Sequence, residues 1–89
     1  MKTFRLSITS PEGNLFLGDV YQISVRGVEG ELAIMAGHIP FATALAKGEC
    51  RIYLEDGSVR RADVAGGLLT VNREETSLLS ASFVFREGA

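Results

Sequence analysis

Eighty-nine residues suffice for one domain with one hydrophobic core and are too few for two. Hydrophobic residues make up 46% of the chain and charged residues 22%, which excludes a disordered polymer. Nine basic against eleven acidic residues leave a net charge of −2, so there is no basic footprint for nucleic acid or anionic lipid. The single cysteine cannot close a disulfide within the chain, and a reducing compartment is expected. No apolar run is long enough for a transmembrane helix, and Met1–Leu6 lacks the apolar stretch of a secretory signal.

Period-two alternation dominates from the first residues. Phe4, Leu6 and Ile8 alternate with Arg5, Ser7 and Thr9, the pattern of a half-buried strand. Ser10-Pro11-Glu12-Gly13 follows as a turn, with proline pre-setting the second position and glycine the fourth. Asn14–Leu17 reads as a short strand closed by Gly18. Tyr21, Ile23 and Val25 alternate with Gln22, Ser24 and Arg26 in a third strand ending at Gly27, and Glu31–Met35 forms a fourth. Gly27–Gly48 as a whole is apolar without being regular. Cys50, Ile52 and Leu54 restore the alternation, and Asp56-Gly57 predicts a two-residue hairpin with both central residues at positive φ. Val59–Val64 returns with a change of parity that predicts a bulge. Gly66-Gly67 punctuates, Leu69 and Val71 continue, and Asn72–Glu75 turns into a last strand over Thr76–Ala81.

Eight to ten short strands with turn signals at this spacing, and no helical stripe, predict an all-β fold: a two-sheet antiparallel β-sandwich or flattened barrel, as one domain over residues 1–89. The expected inward residues are Phe4, Leu6, Ile8, Tyr21, Ile23, Val25, Ile52, Leu54, Leu69 and Val71. Cys50 shares their register and is expected in the core.

Catalytic patterns are missing. There is no phosphate-binding Gly-x-x-x-x-Gly-Lys-Ser/Thr run and no Gly-x-Ser-x-Gly elbow. One Cys and one His do not make a zinc site, and no cofactor or metal is expected. His38 is the one candidate general base; in Gly37-His38-Ile39-Pro40 it has no nucleophile near it, and a ring that fills a contact or donates to a carbonyl is the blander reading. Glu29 and Glu31 flank Gly30 on a loop tip, without the aromatic platform a sugar-cleaving pair would need. They read as a solvated turn, or as a contact for another protein. Arg60-Arg61 reads as a solvated hairpin arm.

One segment carries a resemblance. Gly30-Glu31-Leu32-Ala33-Ile34-Met35-Ala36-Gly37-His38-Ile39-Pro40-Phe41-Ala42-Thr43-Ala44-Leu45-Ala46-Lys47-Gly48 resembles the signature Gly-Glu-Leu-Gly-Ile-x-Pro-Gly-His-x-Pro-Leu-x-Thr-x-Leu-x-x-Gly of the ε subunit of F-type ATP synthases, in its N-terminal β-sandwich domain. Ser10-Pro11-Glu12-Gly13 with Phe16 and Gly18, and Gly66-Gly67-Leu68-Leu69-Thr70-Val71, add to it. Ala33, Ala36 and Phe41 depart from the usual Gly, Pro and Leu. The family's C-terminal helical hairpin is not expected within residues 1–89, and Phe83–Ala89 does not resemble the start of an Ala-rich helix.

The resemblance implies a non-catalytic rotor subunit in the central stalk, linking the γ subunit to the membrane ring of c subunits and coupling ion flow to ATP synthesis. By position, Glu29, Gly30, Glu31 and Leu32 would meet the c-ring. Ser10, His38, Ile39, Pro40, Phe41 and Thr43 would face γ. Nucleotide binding is not implied, because in the family it belongs to the helical hairpin. The implied location is the cytoplasmic face of a bacterial cell membrane, peripheral to it through the complex. The alternatives are a free-standing small-ligand-binding sandwich and a minimal hydrolase built on His38. The first asks for an aromatic-lined pocket in a chain with two Tyr and no Trp, the second for a nucleophile.

Overall fold

Alternating apolar and polar residues give each strand one face to bury, and a chain built only of such strands must close them around a shared interior. The structure, a computed structural model, describes residues 2–86; the expectations for Met1 and for residues 87–89 lie outside the described residues. Its elements are strands: β1 (Phe4–Ser10), β2 (Gly13–Gly27), β3 (Gly30–Met35), β4 (Phe41–Leu54), β5 (Val59–Val71), β6 (Glu75–Leu79) and β7 (Phe83–Phe85). The order β1-β6-β5-β4-β2 closes through a further β1–β2 pairing, so the sheet returns on itself as a flattened barrel. β3 adds to β2 and β7 to β5. All pairings are antiparallel except β1–β6, which is parallel.

The all-β sandwich agrees with the sequence, but the strands are fewer and longer than expected. β2, β4 and β5 run for 15, 14 and 13 residues, because the glycines at 18, 48 and 66–67 lie inside strands and do not end them. The β4–β5 ladder keeps one register from Phe41↔Val71 to Tyr53↔Val59, interrupted only between Leu45↔Gly67 and Lys47↔Ala65. Along it the buried positions change parity: Cys50, Ile52, Ala62 and Val64 at one end, Leu45, Leu69 and Val71 at the other. Paired strands that keep register while exchanging faces have turned a corner from one layer to the other. Gly66 and Gly67 make that corner at φ +106° and +146°, a region closed to most residues. The bulge expected after Val59 is absent; Val59 is an exposed residue near the end of a regular ladder.

A bulge lies elsewhere. β2 meets β4 as Val20↔Leu54 and then Gln22↔Tyr53, leaving Tyr21 as the extra residue. Val20 and Ile23 therefore both point inward, and Tyr21 is half-buried, its ring 5.8 Å from that of Tyr53. This corrects the inward placement of Tyr21. Leu6, Ile8, Ile23, Val25, Ile52, Leu69 and Val71 are core residues as expected, and so is Cys50, while Phe4 and Leu54 pack half-buried at its margin. The interior also takes Val20, Ile34, Leu45, Ala62, Val64, Leu78 and Phe83. Burial, with a smaller contribution from the Glu49 carboxylate, pushes the Cys50 thiol up to about 12.

Phe41–Gly48, read as an irregular apolar loop, is the first half of β4. Its alternation is Phe41, Thr43 and Leu45 against Ala42 and Ala44. Alanine on the outer face counts as apolar and hides the period. The Asp56-Gly57 hairpin also differs. Leu54 donates to Ser58 O at 2.9 Å, leaving a three-residue loop in which Gly57 takes φ +90° and no non-glycine φ is positive. Asp56 Oδ1 stabilises it by accepting from Ser58 N at 2.8 Å and Ser58 Oγ at 2.6 Å.

Candidate functional site

Two neighbouring connections carry most of the residues singled out by sequence. The β2–β3 hairpin turns on Val28 and Glu29, with Gly27 paired to Gly30 and Gly30 at φ +132°. Val28 N donates to Ala44 O at 3.1 Å, tying the tip to β4. Leu32 lies over Gly27, its Cδ1 3.2 Å from where a Cβ would stand. Glu31 is exposed and sits 4.0 Å from Arg51, which lies 3.9 Å from Glu49. Glu49 in turn accepts from Arg86 at 2.6 Å, and Arg86 also grips Asp63 at 2.6 Å. A row of alternating charges thus runs from the hairpin to β7. Glu29 has no ion-pair partner among the described residues.

The β3–β4 connection turns on Gly37 at φ +87°, and His38 N donates to Met35 O at 3.2 Å. The imidazole Nδ1 stands 2.8 Å from Ile39 O; since a carbonyl only accepts, Nδ1 carries the proton there. The ring also lies 4.9 Å from that of Phe41. His38 therefore holds its own loop in place, the blander of its two readings. Ile39 projects, 73% exposed. Phe41 does not: it is half-buried and packs against the core.

The residues assigned by resemblance to γ do not share one hollow. Glu29, Glu31, Leu32, Phe41 and Thr43 line one surface cavity of about 430 Å³, so the two implied interfaces meet in it. His38, Ile39 and Pro40 line another of about 270 Å³ with Arg73. Ser10 lines a third, of about 460 Å³, with Pro11, Gly67, Leu68, Leu79 and Ala81. Arg73, Leu68, Leu79 and Arg51 were not singled out by sequence. The alternating exposure of Leu68 and Leu79 could have been read from their parity beside Leu69 and Leu78, but their adjacency could not. Among the described residues no group of three or more His, Cys, Asp or Glu could hold a metal ion. Nor, among the described residues, is any helix long and apolar enough to cross a membrane.

Comparison with known proteins follows the same lines. The family model for the ATP synthase, Delta/Epsilon chain, beta-sandwich domain matches residues 3–86. The sodium ion specific ATP synthase epsilon chain of Acetobacterium woodii is 40% identical over 79 residues, 89% of this chain and 59% of that one. The ATP synthase epsilon chain of Caldicellulosiruptor saccharolyticus is 41% identical over 80 residues, 90% of this chain and 58% of its own length. This chain thus spans less than two-thirds of these relatives. A chain in the cryo-EM structure of the Euglena gracilis mitochondrial ATP synthase, comprising OSCP, F1 and c-ring, superposes with a TM-score of 0.90 at 25% identity, over 98% of this chain and 56% of that one. A chain of the Tetrahymena thermophila central stalk and c-ring shares the fold, with a TM-score of 0.77 at 15% identity, over 98% and 69%.

Proposed function

The chain belongs to the family of ATP synthase delta/epsilon β-sandwich domains, and from that premise we propose that it serves as a non-catalytic central-stalk subunit of an F-type ATP synthase. It couples ion flow through the membrane sector to ATP synthesis by linking γ to the c-ring. The observation that carries this reading is the agreement of fold and sequence with a chain of an F1/c-ring assembly over 98% of the residues here. The complex is membrane-associated, on the cytoplasmic face in a bacterial cell.

In this reading Glu29, Gly30, Glu31 and Leu32 meet the polar loops of the c-ring. The carboxylate with no partner of its own, Glu29, suits the cationic side chains that cytoplasmic loops of membrane proteins carry; Glu31 already has Arg51 beside it. Ser10, His38, Ile39, Pro40, Phe41 and Thr43 face γ, with Ile39 as the most protruding apolar group. The reading assigns no nucleotide site within residues 1–89, so titration with Mg-ATP is expected to give no saturable heat.

Reconstitution tests the proposal. A synthase assembled without this chain is expected to hydrolyse ATP but to lose ion-driven synthesis, and adding the chain back restores it. Unimpaired coupling in its absence would overturn the stalk role. Glu29→Lys is expected to weaken synthesis more than hydrolysis by the detached head, whereas equal loss of both would point to misfolding.

A further inference from the structure

Asp56 is the one aspartate or asparagine in the chain that glycine follows. That neighbour matters chemically, because the backbone nitrogen after an aspartate can attack its side-chain carboxyl, and only glycine puts no side chain in the way. The attack closes a five-membered imide between Gly57 N and Asp56 Cγ and expels one water. A second water then opens the ring, at the side-chain carbonyl to restore aspartate or at the backbone carbonyl to leave isoaspartate. In isoaspartate the chain runs through Cβ and Cγ, which lengthens the backbone by one carbon. The β4–β5 hairpin gives water free access to this pair: residues 55–58 are exposed, and nothing lies within 4 Å of a Cβ placed on Gly57.

We propose that Asp56-Gly57 is a self-modification site and that Ser58 holds it shut in the folded protein. Three contacts block the reaction. Gly57 N, the atom that must attack, donates to Leu54 O at 3.1 Å. Asp56 Oδ1 accepts from Ser58 N at 2.8 Å and from Ser58 Oγ at 2.6 Å, so the carboxyl is tied one residue beyond its attacker. The Ser58 hydroxyl and amide also hold that carboxyl below its ordinary range. It stays ionised, and a carboxylate expels its oxygen far less readily than a carboxylic acid expels water. Closure of the hairpin by Leu54 N on Ser58 O at 2.9 Å fixes Ser58 over the loop, so the guard belongs to the folded turn and is lost when β4 and β5 separate. Isoaspartate would add a backbone atom to a three-residue loop whose flanks are in register at Tyr53↔Val59, and the turn could not close as it does.

Incubation of the full chain in warm neutral buffer, followed by isoaspartyl methyltransferase labelling and peptide mapping, tests this. Isoaspartate is expected at residue 56, formed at least about tenfold more slowly in the native chain than in the chain unfolded by guanidinium. Ser58→Ala, which removes one of the two bonds to the carboxylate, is expected to speed the native reaction about three- to tenfold and to leave the unfolded rate unchanged. Ser58→Thr keeps both donors and should react at the parent's rate. The comparison of native with unfolded parent needs no variant, so it decides the matter if Ser58→Ala does not give the parent's circular dichroism. Equal rates in the native and unfolded parent, or a folded Ser58→Ala no faster than the parent, overturn the guard. Isoaspartate at Asp19 or Asp63 but none at residue 56 in the unfolded chain overturns the site.

Discussion

The carbonyl oxygen of Leu79 occupies the place where a Cβ on Gly67 would stand, with Ser80 Cα 3.1 Å from the same point. The corner of β5 is therefore closed against the end of β6 by backbone alone. The Ser80 hydroxyl completes the contact: it is buried, lies 2.5 Å from Gly66 O and 2.9 Å from Ser82 O as possible acceptors, and accepts from Ser82 N at 3.2 Å.

Gly67→Ala should accordingly lower stability by about 2–4 kcal/mol, since strain at positive φ adds to a backbone collision. Gly13, at φ +124° but with nothing within 4 Å, bears the strain alone, and Gly13→Ala should cost about 1–2 kcal/mol. Ser80→Ala removes part-buried hydrogen bonds to the backbone of residues 66 and 82 and should cost about 0.5–1.5 kcal/mol. Urea unfolding of the three variants gives the order directly. Equal effects at Gly67 and Gly13 would mean that the corner relaxes freely.

Phe41 and Ile39 should separate folding from association. Phe41 is half-buried against the core, so Phe41→Asp puts a carboxylate beside apolar groups and should destabilise the free domain by about 2–4 kcal/mol. Phe41 thus supports the fold as well as standing at the implied γ contact. Ile39→Asp should stay within about 0.5 kcal/mol of the parent. Thermal melts of the isolated chain check both.

Arg86 holds β7 onto the sheet through Asp63, and the paired guanidinium keeps the Asp63 carboxyl below its ordinary range. A carboxylate depressed in the folded state stabilises above its unfolded pKa and loses that contribution as pH falls through the folded value. Asp63→Asn should therefore reduce stability slightly at pH 7, and the difference from the parent should begin to fade at about pH 4 and vanish only once the pH is below the depressed folded value. Both groups are exposed, so the effect is small. A difference that grows on acidification would have the wrong sign for this pair.

Cys50 should be inert in the native protein. Its thiol is buried and pushed up to about 12, so almost no thiolate exists at pH 8, and reagents cannot reach it. Ellman's reagent should detect no thiol until denaturant is added, and then one per chain. Rapid reaction without denaturant would mean that the β4–β5 interior opens readily.

Where an apolar residue alternates with a polar one, as in Phe4–Thr9 or Cys50–Leu54, strand and buried face were legible, because both follow from the two-residue repeat of an extended backbone. The first turn was legible for the same local reason: Ser10 pairs with Gly13, and Ser10 Oγ accepts from Glu12 N at 3.2 Å. Phe41–Gly48 was obscured because alanines on its outer face look like core residues. Tyr21 was misplaced because a bulge depends on the partner strand, and nothing in residues 20–22 specifies that Tyr53 and Leu54 lie opposite.

The sequence by itself determined the all-β class, the first turn at Ser10–Gly13 and the family, since these depend on local backbone preferences and on a contiguous motif. Only the tertiary structure decided how the faces join. The parallel β1–β6 contact closes the barrel between segments some seventy residues apart. The Gly66–Gly67 corner lets one strand serve both layers. The β5–β6 pairing sets Leu68 beside Leu79, and the β2–β4 pairing brings Glu29 and Glu31 to the cavity lined by Phe41 and Thr43. Such neighbours are chosen by long-range register, which is fixed when whole apolar faces are buried together and leaves no mark in the spacing of any one strand.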